Sequence, residues 1–149
     1  SMANLINTQG PVQDTELKSV TLEQWQEEKD ALTGQSLELT VSSEQTADLF
    51  GEDADNFARI SIDFPKFADG RGYSAARLLR EKYGYKGELR AVGDVLIDQV
   101  FFMKRCGFDT YALREDQIVE DAIAAFSTFT NPYQNDVNDQ RPLFRRRLS

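Results

Sequence analysis

The chain has 149 residues, 40% of them apolar and 28% charged, which is the size and composition of one ordinary folded domain. It carries a formal net charge of −8, contains no histidine and has one cysteine. An acidic chain is a poor non-specific binder of nucleic acid, and one cysteine excludes disulfide frameworks and cysteine-based metal centres built from this chain alone.

The N-terminal part of the chain opens with a short extended segment at residues 3–7, followed by a turn at Gly10-Pro11. Residues 21–34 have the periodicity of a helix, with Thr21 placed to cap its first turn and Gly34 placed to end it. No apolar run approaches the roughly 18 residues that a membrane span requires, and Ser1-Met2 resembles a cleavage scar before a native start. We therefore expect a cytoplasmic protein that does not bind a membrane.

Strands and helices alternate from residue 36 onward. Four strand-then-helix units begin near residues 36, 59, 88 and 109, a spacing that suits parallel strands joined by right-handed crossovers. The predicted helices of these units are residues 43–50, 74–83, 95–105 and 115–129. We predict an α/β fold with four or five mostly parallel strands, arranged as an open sheet or half-barrel-like. A single domain at residues 1–140 is followed by a basic tail at residues 141–149.

Ligands of such folds gather at the carboxyl ends of the strands, where the β-to-α loops lie. Asp63 ends one predicted strand, and Asp94 follows the next. Because the chain has no histidine, general acid–base catalysis would fall to carboxylates, lysine or tyrosine. Asp63 and Asp94 are the candidate catalytic residues, and Tyr73 is the alternative partner of Asp63. Asp94 is also placed to cap the helix that we expect to begin at Val95.

The loop after Asp63 has the composition of an anion site. Glycines let its backbone approach a ligand, Ser74 is placed to cap helix 74–83, and basic side chains could clamp an anion in front of the helix N–H groups. The mouth of the site would comprise residues 66–74 and 93–98. The predicted anion-binding residues are Lys66, Asp69, Gly70, Arg71, Gly72, Ser74 and Arg90. A buried Asp–Arg network that fixes the loop needs the same residues, so a structural role stays open beside the binding role.

The sequence predicts no cofactor and no metal site. The spacing of Gly70 and Gly72 is not a dinucleotide fingerprint, because position 75 is alanine where a third glycine is required, and a P-loop is absent. Cys106 lies close to Phe102 and Met103, and we expect it to be a small buried hydrophobe more than a reactive thiol.

The helix predicted at residues 95–105 favours self-association. Leu96, Val100 and Met103 share one face suited to a sheet, whereas Phe101 projects about 140° away from Leu96, where a solvated helix would be polar. Either a neighbouring helix of the same chain or a second copy would cover Phe101, and we expect a homodimer.

Charge is divided unevenly along the chain. Residues 1–58 carry a net charge of −10, residues 59–105 carry +4, residues 106–140 carry −6 and residues 141–149 carry +4. The tail places Leu143 and Phe144 before three consecutive arginines, which predicts an interaction element that docks on the acidic N-terminal half, on a second copy or on a larger partner.

Residues 63–113 contain the motifs DGRG and GDVLxDQ, and the chain ends with RPLFRRR before its last two residues. These stretches closely resemble the bacterial family known as domain of unknown function 934. Members of that family are labelled oxidoreductases of sulfite reduction, a label that rests on their occurrence beside assimilatory sulfite reductase genes. The resemblance implies sulfur assimilation as the setting and supplies no catalytic residues.

Three functions remain open. The first is an accessory protein of assimilatory sulfite reduction that docks on a sulfite-reducing enzyme, which the basic tail and the over-apolar helix support. The second is a binding module for a small oxyanion such as sulfite or sulfate, and the third is a carboxylate-based enzyme with its site at the strand ends. Electron transfer by this chain alone is not expected, because it lacks cysteine ligands for an iron centre and a phosphate-binding fingerprint for a flavin or nicotinamide.

Overall fold

The computed structural model of the chain describes residues 4–65 and 70–130, and its side chains up to Ser127. A seven-stranded sheet in the order β2-β1-β7-β6-β5-β4-β3 lies at its centre. The strands are β1 (Leu5–Asn7), β2 (Gly10–Pro11), β3 (Lys18–Thr21), β4 (Leu37–Ser42), β5 (Arg59–Phe64), β6 (Glu88–Gly93) and β7 (Thr110–Ala112). Strands β3 to β7 are parallel, whereas β1 is antiparallel to both β2 and β7. The predicted α/β fold with a mostly parallel open sheet is confirmed.

The strand order places the connecting helices on one side of the sheet. Strands β3 to β7 pair in chain order, and right-handed crossovers between successive neighbours all pass over the same face. The helices that make these crossovers are α1 (Leu22–Leu32), α2 (Gly70–Glu81) and α3 (Val100–Cys106), and two 3₁₀ segments, Ala47–Leu49 and Gly51–Asn56, connect β4 to β5. We call the side of the parallel sheet opposite to α1, α2 and α3 the helix-free face.

Alternation along the strands separates the apolar core from the helix-free face. On the helix side the buried residues are apolar, among them Leu39, Ile60, Ile62, Leu89 and Tyr111. The residues between them are polar, and the register aligns Glu38 with Arg59 and Arg59 with Glu88. A strand buried between two helix layers would instead read as a continuous apolar run.

The N-terminal segment reaches from one edge of the sheet to the other. Strand β2 lies at one edge and β3 at the opposite edge, so residues 12–17, which connect them, have to cross the sheet. We call residues 12–17 the strap. Its Asp14 carboxylate contacts Arg59 and Arg90, which places the strap on the helix-free face.

The limits of several predicted helices are wrong. Helix 43–50 is replaced by the two 3₁₀ segments, and helix 74–83 begins four residues earlier, at Gly70. Helix 95–105 is divided into a 3₁₀ segment, Ile97–Gln99, and α3, while helix 115–129 is α4, which spans Val119–Thr130. Strand β3 was not predicted, and Gly10–Pro11 is a two-residue strand where a turn was expected.

The N-terminal helix agrees with its sequence signals. Thr21 is the N-cap of α1, and its hydroxyl accepts a hydrogen bond from the backbone N–H of Gln24. The Gln24 side chain accepts one from the N–H of Thr21 in return, which completes a capping box. Gly34 follows the helix with φ 93°, a conformation that favours glycine.

The chain divides into two compact units between Gln117 and Ile118. The first contains the sheet with α1 to α3, and the second contains α4. The predicted basic tail at residues 141–149 lies outside the described residues. Within the described part of the chain, no helix combines the length and the apolar character that crossing a membrane requires.

Candidate functional site

Asp63 lies on the helix-free face near the carboxyl end of β5, an interior strand of the sheet. Its carboxylate rests against Gly93, the last residue of β6, where a Cβ atom would collide with Asp63 Oδ1 and approach Phe64 O at 2.6 Å. Gly93 has φ 94°, a second reason for glycine at this position. Burial raises the pKa of Asp63, and no described residue donates a hydrogen bond to its carboxylate. Asp63 therefore has the strand-end position and proton affinity that suit a general acid or base.

Asp94 follows the neighbouring strand but does not cap a helix. The chain continues after Asp94 into the 3₁₀ segment Ile97–Gln99, and α3 begins only at Val100. The Asp94 carboxylate instead accepts a hydrogen bond from Arg114 Nη1 at 2.7 Å, and Arg114 Nε donates to Asp116 at 2.6 Å. The Arg114 hydrogen bond lowers the pKa of Asp116. The capping prediction is therefore wrong, and Asp94 belongs to an ion-pair cluster at the end of β7.

The predicted anion loop is described only in part. Lys66 and Asp69 lie outside the described residues. Gly70 and Arg71 form the first turn of α2, where Arg71 is exposed. Ser74 is exposed within α2 and cannot be its N-cap, because the helix has already begun. Oxyanion binding at this edge of the sheet stays a prediction.

Gly72 has a packing role in the structure. It faces the sheet, and a Cβ at this position would lie 2.6 Å from Cζ of the Phe64 ring. Such a distance is far inside normal contact, so the glycine lets α2 approach β5 closely. The absence of a side chain at Gly72 is therefore explained without a ligand.

Arg90 lies on the helix-free face, within β6, and is only 2% exposed. Its Nη1 donates to Asp14 Oδ1 at 3.0 Å and its Nη2 donates to Glu88 Oε2 at 3.0 Å. Thr110 Oγ1 accepts from Arg90 Nε at 3.2 Å and donates to Glu88 Oε2 at 2.8 Å. Arg90 thus belongs to a buried cluster of charges and hydroxyls, and the structure does not place it with Asp63 and the start of α2.

Arg59 is the second buried arginine of this cluster and is 3% exposed. Its Nε donates to Glu38 Oε2 at 2.7 Å, and its Nη1 donates to the backbone O of Thr15 at 3.1 Å. The same Nη1 lies 3.6 Å from Asp14 Oδ1 and 3.9 Å from Glu88 Oε1. Two buried guanidinium groups therefore converge on one oxygen of Asp14.

Glu38 connects the cluster to the edge strand. Its carboxylate accepts hydrogen bonds from Ser19 Oγ at 2.6 Å and from Ser61 Oγ, in addition to Arg59. Burial alone raises the pKa of Glu38, but the hydrogen bonds from Arg59, Ser19 and Ser61 outweigh it and hold the pKa below the ordinary value. We call this cluster the polar network; it consists of Asp14, Ser19, Glu38, Arg59, Ser61, Glu88, Arg90 and Thr110.

Sequence reasoning missed the polar network except for Arg90. The signal was present in β5, where Arg59, Ser61 and Asp63 alternate with apolar residues, and similar alternation occurs in β4 and β6. Alternation in parallel strands indicates that one face of the sheet has no helices. Asp14 carries no comparable signal, because it lies in an irregular segment 76 residues before Arg90.

The outer side of α2 and α3 presents aromatic rings among basic side chains. Phe102 is 43% exposed, and its ring lies edge-on to the ring of Tyr73 at a centroid distance of 4.9 Å. The guanidinium of Arg105 lies over the Phe102 ring at 5.6 Å, and Lys104 and Arg77 are exposed nearby along the two helices. We call Tyr73, Arg77, Phe102, Lys104 and Arg105 the aromatic–basic surface.

The exposed aromatic residue of α3 differs from the one that the sequence indicated. Val100 and Met103 are buried as predicted, but Leu96 precedes the helix. Phe101 is partly buried, and Phe102 takes the exposed position. The prediction used a helix that began at residue 95, whereas the regular part begins at Val100.

The described residues offer little for metal or thiol chemistry. Among them, no group of three or more histidine, cysteine, aspartate or glutamate side chains could hold a metal ion. Cys106 is buried, and its Sγ lies 3.5 Å from Arg77 Nη2. The expectation of a buried cysteine is confirmed.

A protein-family model matches most of the chain. Residues 38–144 match the model of a family described as "Bacterial protein of unknown function (DUF934)". No curated protein and no solved structure matches the chain.

Proposed function

The chain belongs to the DUF934 family of bacterial proteins, and on this premise we propose that it is an accessory protein that docks on a partner enzyme through the aromatic–basic surface. The setting that we propose is assimilatory sulfite reduction, with a sulfite-reducing enzyme as the partner. The setting is supported only by the family resemblance, whereas the docking surface is supported by the geometry of α2 and α3.

The exposure of Phe102 carries the proposal. A phenylalanine that is 43% exposed keeps apolar surface in water, although its ring already contacts Tyr73. Tyr73 in turn contacts the buried ring of Phe64 at a centroid distance of 5.3 Å, so Phe102 is held on a rigid base. Aromatic residues and arginine are the types that dominate the binding energy of protein interfaces.

The charges around Phe102 indicate an acidic partner. Arg105 lies over the ring, Lys104 is exposed on the same helix, and Arg77 lies on the neighbouring helix with its Nη1 3.7 Å from Glu81 Oε2. A partner surface that offers an apolar recess surrounded by carboxylates would be complementary in shape and charge. Two copies of this chain facing each other through the same surface would instead bring like charges together.

The experiment measures binding of the full chain to purified sulfite reductase by biolayer interferometry. Phe102→Ser should weaken the affinity by about 30-fold, which corresponds to about 2 kcal/mol for an aromatic anchor. Leu49→Ser is the matched control, because Leu49 is 48% exposed but lies outside the aromatic–basic surface. Arg105→Glu should slow association and reduce its dependence on salt.

Two results would contradict the proposal at different points. If the wild-type chain does not bind sulfite reductase, the proposed function is wrong. If it binds but Phe102→Ser and Leu49→Ser behave alike, the docking surface is wrong. As a control, thermal unfolding of each variant tests whether the substitution has left the fold intact.

The homodimer, predicted from Phe101 in the helix at residues 95–105, is a separate proposal. Light scattering at micromolar concentration measures it directly, and a single species of 16.9 kDa would count against it. Deleting residues 141–149 tests whether the basic tail contributes to self-association or to partner binding, since a charged contact should weaken with salt.

A further inference from the structure

The two buried arginines of the polar network have more acceptors than the sheet alone provides. Glu38 lies on β4 next to Arg59, and Glu88 lies on β6 with Arg90, so each guanidinium has a carboxylate within the parallel sheet. Asp14 is different, because it comes from the strap, outside the strands. Its Oδ1 lies 3.0 Å from Arg90 Nη1 and 3.6 Å from Arg59 Nη1.

Arg59 and Arg90 provide most of the described hydrogen bonds between the strap and the sheet. Between residues 12 and 17, the described hydrogen bonds are those of Asp14 and Thr15 with the two guanidinium groups and one from Val12 N to Leu5 O at 3.0 Å. Gln13, Thr15 and Glu16 are exposed, and the strap has no regular secondary structure. Val12, Asp14 and Leu17 are half-buried, but a segment with so few hydrogen bonds opens at a lower free-energy cost than the strands beneath it.

The net charge of the polar network determines which kind of ligand could take the place of the Asp14 carboxylate. With Asp14, the network holds three carboxylates and two guanidinium groups, for a net charge of −1. Without it, the net charge is zero, the buried Arg90 Nη1 loses its hydrogen-bond acceptor and Arg59 Nη1 loses a carboxylate 3.6 Å away, which is costly for charged donors. A monoanion would restore the original charge, whereas a dianion would leave a second uncompensated negative charge in a buried place.

We propose that Arg59 and Arg90 form a recognition site for a small monocarboxylate, which Asp14 occupies from within the chain. The strap is then an exchangeable latch: a carboxylate that takes the position of Asp14 releases residues 12–17 from the helix-free face. Guanidinium groups bind carboxylates by charge-assisted hydrogen bonds, which is the chemistry that Asp14 already shows here.

The first test removes the internal ligand. Asp14→Gly should unfold at a lower temperature than wild type, and formate should raise its unfolding temperature by several degrees in a saturable way, as for any ligand of the folded state. The control is Asp14→Gly/Arg90→Met, in which formate should cause no saturable rise. Sodium chloride at the same ionic strength separates site binding from screening.

Each outcome of this test either supports or overturns the proposed carboxylate site. An Asp14→Gly chain that needs formate to fold supports the site, and one that stays unfolded at every formate concentration overturns it. An equal rise with chloride, or a rise that survives Arg90→Met, overturns carboxylate recognition.

The second test examines the latch in the wild-type chain by hydrogen–deuterium exchange. Formate should accelerate amide exchange at Val12, the strap residue whose N–H donates a described hydrogen bond, and leave β5 and β6 unchanged, because only the strap competes with formate. If formate stabilises Asp14→Gly but the wild-type strap exchanges at the same rate with and without it, Asp14 is a fixed part of the fold and the latch is overturned.

Discussion

Replacing Glu38 by glutamine gives a direct measure of what the polar network contributes. The change keeps the shape of the side chain but removes the negative charge of the carboxylate, whose Oε2 lies 2.7 Å from Arg59 Nε. Arg59 itself is only 3% exposed. Breaking a buried ion pair by removing one partner costs about 3–5 kcal/mol. Arg59 keeps the Thr15 carbonyl and lies 3.6 Å from Asp14, so we expect the lower end, about 3 kcal/mol.

Urea unfolding at neutral pH measures this loss. Glu27→Gln is the control, since Glu27 is exposed on α1 and should change stability by less than about 0.5 kcal/mol. In a thermal scan the expected loss corresponds to a fall of roughly 10 °C in Tm for a domain of this size. Both experiments require reversible unfolding.

The same variant predicts a pH dependence. Because the pKa of Glu38 is lowered in the folded chain, its ionisation stabilises the fold above the ordinary glutamate pKa, and this contribution is lost as the pH falls through the folded value. The difference between wild type and Glu38→Gln should therefore be largest at neutral pH and narrow in acid. Equal stability at neutral pH, or a difference that does not change on acidification, would refute this account of the network.

Two glycine variants test packing at the strand ends. Gly72→Ala should lower the free energy of unfolding by about 1–3 kcal/mol through overpacking against Phe64, and Phe64→Leu in the same chain should recover part of the loss. Gly93→Ala should cost more than about 2 kcal/mol, because it combines φ 94° with a collision at Asp63 Oδ1. If Asp63→Ala restores nothing to Gly93→Ala, the carboxylate does not constrain the glycine.

The position of the candidate residues could be predicted only in part. Asp63 was placed at the end of a strand because it follows an apolar run, and the neighbouring strand does end beside it. The roles of Ser74 and Asp94 depended on the residue at which the next helix begins, and the periodicity of the sequence did not fix that residue. Gly72 read as a ligand-binding glycine, but the Phe64 ring packed against it gives a structural reason for its lack of a side chain.

The sequence by itself determined the α/β class, because hydrophobic periodicity and spacing are local properties. The connections between the predicted strands are long enough for crossovers between parallel strands, whereas tight hairpins would be shorter. Thr21 and Gln24 specified the start of α1, because they form its capping box.

Only the tertiary structure decided which residues meet on the helix-free face. Asp14 contacts Arg90 across 76 residues because β2 and β3 lie at opposite edges of one sheet and the strap has to cross between them. The order of the strands depends on contacts between residues that are far apart in the chain. The residues next to Asp14 in the sequence therefore do not indicate that its side chain will pack against two buried arginines.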